Sequence, residues 1–70
     1  MEKDWEMVYE NPNEVRVEIV RVVLEDSQIP TVVINKKDSS YQNFGNYEVY
    51  VNQAFAKEAL KIIRHDLEFE

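Results

Sequence analysis

A two-layer α+β fold, with two helices laid over one face of an antiparallel sheet, is what this 70-residue chain predicts. Three features carry the prediction. Short stretches alternate apolar and polar residues at period two. Two longer stretches place apolar residues at helical spacing. Cap residues and prolines stand at the joints between them.

The elements follow in order. "WEMVY" sets Trp5, Met7 and Tyr9 on one side and Glu6 and Val8 on the other, a first strand. In "ENPNE" Asn11 is positioned to cap a helix, with Pro12 at its first position and Glu14 three residues after the cap. Glu14 to Gln28 is β-branched, and the alternation of Val15, Val17 and Ile19 makes a strand the rival reading. Three signals favour a helix: the cap, the length, and a stripe of Val15, Ile19, Val22 and Val23 with Val20 and Leu24 beside it. The helix must stop before Pro30, and with no glycine at the stop, Ser27 or Gln28 must make the turn at some cost.

"TVVI", Thr31 to Ile34, is apolar without interruption and suits a buried strand that the lysines end. "YEVYV" alternates again, with Tyr47, Val49 and Val51 on one face and Glu48 and Tyr50 on the other. Asn52 caps a second helix, Gln53 to Asp66. Its stripe is Ala56, Leu60, Ile63 and Leu67, with Phe55, Ala59 and Ile62 alongside. "DLEFE" is either a fourth, edge strand or a frayed tail. The order β-α-β-β-α(-β), combined with the rules for split crossovers, gives a ferredoxin-like sandwich.

Composition narrows the function classes. The chain is 44% apolar and 31% charged, as a globular domain is, and its length suits a single domain spanning residues 1–70. There are no cysteines, which excludes a disulfide framework, a thiolate nucleophile and cysteine-ligated zinc. No apolar run approaches the roughly 20 residues of a membrane span. The acidic start "MEKDWEMVYE" lacks the apolar core of a secretory signal, so a soluble, cytoplasmic protein is expected. A net charge of −6 argues against nucleic-acid and anionic-membrane binding, which rest on basic contacts.

The chain also resembles a known family, small bacterial domains described as "putative prokaryotic signal transducing protein". The likeness covers nearly the whole chain. It rests on the aromatic first strand ("W" and "VY"), "EIVRVVLEDSQI", "VVINKKDSSY", "FGNYEVYV" and "AFAKEALKII". The resemblance implies a ferredoxin-like fold related to the PII-type nitrogen regulators. It implies no catalytic residue. In PII-type proteins the second and third strands are joined by a long effector loop, and here the same connection, Lys36 to Asn46, is shorter. No PII nucleotide-binding motif is present. Family members often carry Gly where Gln28 stands, and some end in a cysteine-rich zinc appendage that this chain lacks.

The connection itself, "NKKDSSYQNFGNY", is the first candidate site. Lys36 and Lys37 offer cationic donors and Ser39 and Ser40 hydroxyls, a set that suits a phosphate or carboxylate. Tyr41 and Phe44 suit a protein contact. Against this, the loop has one glycine, Gly45, and leads into a strand, whereas phosphate cradles use several glycines or a helix N-terminus. A polar turn closed by Gly45-Asn46 accounts for the same residues.

The open face of the sheet is the second candidate. Tyr50 and Val8 are expected there, with Glu6 and Glu48 beside them. Sheet aromatics stack bases in RNA-binding folds, but the basic neighbours are missing, so a partner protein or a second copy is the better occupant. His65, the one histidine, stands near a helix end where the dipole favours a cation, and lacks further ligands at metal spacing. Glu14, Glu18, Glu25 and Asp26 alternate with Arg16 and Arg21 as a solvated helix face does. No cofactor motif and no catalytic set is legible. The expectation is a non-enzymatic regulatory or interaction module, with a small sensor of an anionic metabolite or nucleotide as the alternative.

Overall fold

The computed structural model describes residues 4–36 and 45–66. Its elements are β1 (Trp5–Asn11), α1 (Glu14–Asp26), β2 (Thr31–Asn35), β3 (Tyr47–Asn52) and α2 (Gln53–Asp66). The three strands form an antiparallel sheet in the order β1-β3-β2. The parallel pair β1 and β2 is thus split by β3, with α1 as the crossover, as the ferredoxin-like arrangement requires. Residues 67–70, where a fourth strand was a possibility, lie outside the described residues.

Both helices pack on one face of the sheet. Val49 and Val51 of the central strand are fully buried against Val17, Val20 and Leu24 of α1 and Ala56 and Ala59 of α2. Val8 and Ile29 complete the core. The small Ala56 and Ala59 let α2 approach the sheet closely, while Phe55, Ile62 and Ile63 pack at its margin. Leu60, expected on the buried stripe, is exposed.

The start of α1 differs from the expected one. The cap is Asn13, whose side chain accepts a hydrogen bond from the Val15 N–H at 2.9 Å. Asn11 instead ends β1, and its Oδ1 accepts from the Asn13 N–H at 2.8 Å. Pro12 therefore precedes the cap, where its fixed φ shapes the turn from strand to helix. Asn52 caps α2 as expected, accepting from the Ala54 N–H at 2.9 Å.

The phase of α1 is the larger correction. Its inward line is Val17, Val20 and Leu24. Val20 and Leu24, expected beside the stripe, are buried, but three of the four stripe residues point the other way, with Val15 66%, Ile19 41% and Val22 53% exposed, and Val23 is half-buried. A helix with apolar residues around most of its circumference has two plausible stripes, and packing against the sheet selects one.

The end of α1 explains the missing glycine. Gln28 adopts φ 67°, the left-handed conformation. The Ile29 N–H donates to the Leu24 carbonyl at 3.0 Å and the Gln28 N–H to the Glu25 carbonyl at 2.9 Å. This is a Schellman motif, and the buried pair Ile29 and Leu24 is its usual apolar contact. A side chain in this conformation costs about 1–2 kcal/mol, offset in part by the extra chain entropy that glycine loses on folding. Gln28→Gly is therefore expected to stabilise the protein by about 0.5–1 kcal/mol, read as a higher urea midpoint with unchanged slope.

Candidate functional site

The geometry of β1 decides which side chains reach the open face. Met7 pairs with Tyr50 and Tyr9 with Val49, so Val8 is an extra residue, a β-bulge. The bulge reverses the alternation. Trp5 and Met7 share the open face, whereas Tyr9 turns to the helix side and packs against the core. Val8 is buried, contrary to its expected place beside Tyr50. Glu6 pairs with Val51 in a helix-side row, so it is not a neighbour of Tyr50 either.

The second edge supplies the rest. β2 is not a buried strand but a half-buried edge: Val33 packs against the core, and Val32 stands opposite Tyr50 on the open face. One row across the sheet is therefore Met7–Tyr50–Val32, with Met7 40% and Val32 37% exposed. The next row is Glu10–Glu48–Ile34. Together with Trp5 these residues form an apolar and aromatic patch with a pair of carboxylates at one side. No described element covers it.

Polar contacts order the acidic side. The Tyr50 hydroxyl donates to Glu48 Oε1 at 2.8 Å, and Asn46 Nδ2 donates to Glu10 Oε1 at 3.0 Å. The bond to Glu48 raises the Tyr50 phenol above its ordinary value, reinforced by desolvation and by the charges of Glu48 and Glu10. A raised phenol pKa means that its share of stability is present below the unfolded value and lost as pH rises through the folded one. Glu48→Gln removes the charge and the strongest acceptor, so Tyr50 is expected to ionise at lower pH, read from its ring resonances in an alkaline NMR titration.

Of the loop residues singled out from sequence, only Lys36 is described. It is exposed, and its N–H donates to the Asn46 carbonyl at 3.0 Å, closing the base of the connection. Gly45 follows the segment with φ 86°, a conformation that glycine adopts without a Cβ clash. Lys37, Ser39, Ser40, Tyr41 and Phe44 lie outside the described residues.

The remaining titratable groups are on the helix surfaces. Arg21 bridges Glu18 at 2.6 Å and Glu25 at 2.6 Å, one turn to either side. The Arg21 hydrogen bond holds the Glu18 carboxyl below its usual range despite slight desolvation. Such exposed pairs contribute little to stability. His65 is exposed near the end of α2. Among the described residues no three His, Cys, Asp or Glu side chains gather as a metal site. No helix of the described residues is long and apolar enough to cross a membrane.

The family model described as "Putative prokaryotic signal transducing protein" matches residues 5–65, every described element but the end of α2. The chain belongs to this family. Its description suggests a role in signal transduction. No curated protein and no solved structure matches the chain. Sequence reading missed Trp5, Met7, Val32 and Ile34 as open-face residues. The alternation of Val32 and Ile34 was available in "TVVIN" but was masked by Val33, and the bulge at Val8 leaves no composition signal.

Proposed function

We propose that this protein is a non-enzymatic interaction module of a signalling system, and that it contacts a partner protein through the open face of its sheet. The observation that supports this reading is the row Met7–Tyr50–Val32, flanked by Trp5 and Ile34, which no described element covers. Apolar side chains on a solvent-facing sheet surface favour association, and aromatic anchors supply most of the energy at such contacts. Glu10 and Glu48 at one side favour a partner with Lys or Arg at the rim of its own apolar patch. The connection 36–46, with Tyr41 and Phe44, adds a second contact segment in this proposal.

The rival class is a sensor that binds an anionic metabolite with Lys36, Lys37, Ser39 and Ser40. Amide-resolved NMR titration with inorganic phosphate, ATP and 2-oxoglutarate separates the two. The interaction module predicts no saturable shifts in residues 35–47. Saturable shifts there that disappear in Lys36→Glu/Lys37→Glu would replace this reading with the sensor.

A further inference from the structure

We infer that two copies of this chain pair through their helix layers, α1 of each copy lying on α2 of the other. The starting observation is the outward line of α1. Val15, Ile19 and Val22 recur at i, i+4 and i+7, opposite the buried line of Val17, Val20 and Leu24. They line a shallow apolar groove of about 430 Å³ together with Val23, and Glu14 and Glu18 form its rim. A helix face that only meets water carries polar residues along that line. Apolar anchors at this spacing are the pattern by which one helix seats against another.

Charge selects the occupant. The outward surface of α2 carries Lys57, Lys61 and Arg64, also at i, i+4 and i+7, around the exposed Leu60. This basic surface stands out in a chain of net charge −6. An apolar line on α1, whose rim carries Glu14 and the Arg21-bridged Glu18, and an apolar point with a basic rim on α2 are complementary. Pairing α1 with α1 of a second copy would instead bring the two Glu14–Glu18 rims together.

Symmetry makes the contact close on itself. Both helices lie on the same face of the sheet, so a two-fold axis running between them in the interface plane sets α1 on α2 at both ends. Such a contact yields a dimer, not a filament. The Cα extents of 35 × 31 × 15 Å describe a thin slab whose broad faces are wide enough for the roughly 800 Å² per partner of an ordinary stable interface. The open sheet faces then point outward on both sides of the dimer and stay accessible.

The test is sedimentation equilibrium of the full chain across concentrations from about 1 μM to about 1 mM, the range in which weak to moderate association is read. The expected result is a rise from 8.4 kDa toward twice that mass. Glu14→Lys/Glu18→Lys is expected to give a monomer, although it moves the net charge toward zero and so lessens general repulsion. Lys57→Glu/Lys61→Glu is expected to give a monomer as well. Combining the four changes in one chain restores complementarity and is expected to restore the dimer. All these positions are exposed, and far-UV circular dichroism reports that each variant is folded. A wild-type chain that stays at 8.4 kDa throughout overturns the inference. So does a dimer that both charge swaps leave intact and Met7→Lys dissociates, which would assign self-association to the sheet face.

Discussion

Leu24→Ala is expected to lower the unfolding free energy by about 2–5 kcal/mol, the range for emptying a well-packed aliphatic site. Leu24 is fully buried between α1 and the sheet. It also belongs to the C-terminal motif of α1, where its side chain meets Ile29 and its carbonyl accepts the Ile29 N–H at 3.0 Å. One truncation thus loosens both the core and the exit of the helix. A chain of this length has a net stability of roughly 3.5–10 kcal/mol, so the loss takes a large share of the total. Urea denaturation at low micromolar concentration reads the effect. Val22→Ala, two residues earlier on the outward line, is the control and should change the monomer's stability by no more than about 0.5 kcal/mol.

The second large effect comes from placing a charge on the inward line of α1, and the same charge on the outward line is its control. Val20→Asp puts a carboxylate at a site that is 0% exposed and lined by apolar core residues. Burying an unpaired charge costs several kcal/mol, or forces proton uptake at nearly the same cost. The protein is expected to be unfolded at pH 7, with the helical signal of far-UV circular dichroism lost and amide resonances collapsed. Val22→Asp places the same charge at a half-exposed position and should leave the monomer folded. Equal behaviour of the two variants would mean that the inward line of α1 is not Val17, Val20 and Leu24.

This contrast marks where the sequence stopped being informative. The order of elements, the antiparallel sheet and the α2 cap at Asn52 were legible because each left a local signal: period-two alternation, a cap residue, a proline. The rotation of α1 was not. Valine or isoleucine stands at Val15, Val17, Ile19, Val20, Val22 and Val23, so two stripes satisfied helical periodicity and only the facing sheet distinguished them. The cap at Asn13 in place of Asn11 has the same origin, since both asparagines offer an acceptor and the register of β1 decides which is used.

The candidate site was legible in part. Tyr50 was placed on the open face from the alternation of β3. The bulge at Val8 exchanged the expected Val8 for Trp5 and Met7, because one inserted residue reverses the side that every earlier residue faces. The turn was expected at Ser27 or Gln28, and φ 67° places it at Gln28. The outward apolar line of α1 and the basic surface of α2 leave separate local signals in the sequence, and their contrast emerges only once both helices lie on the same face of the sheet.

Site-specific photo-crosslinking in the native cell tests most directly that the open sheet face is a contact surface. A photoreactive residue at Val32, on the open face of β2, is compared with one at Ser27, an exposed position at the helix exit. The predicted result is a discrete crosslinked partner protein from position 32, absent from position 27 and lost when Met7→Lys is added. Crosslinks that are equally diffuse from both positions, or none from position 32, would contradict the proposal that Met7, Tyr50 and Val32 form the contact surface.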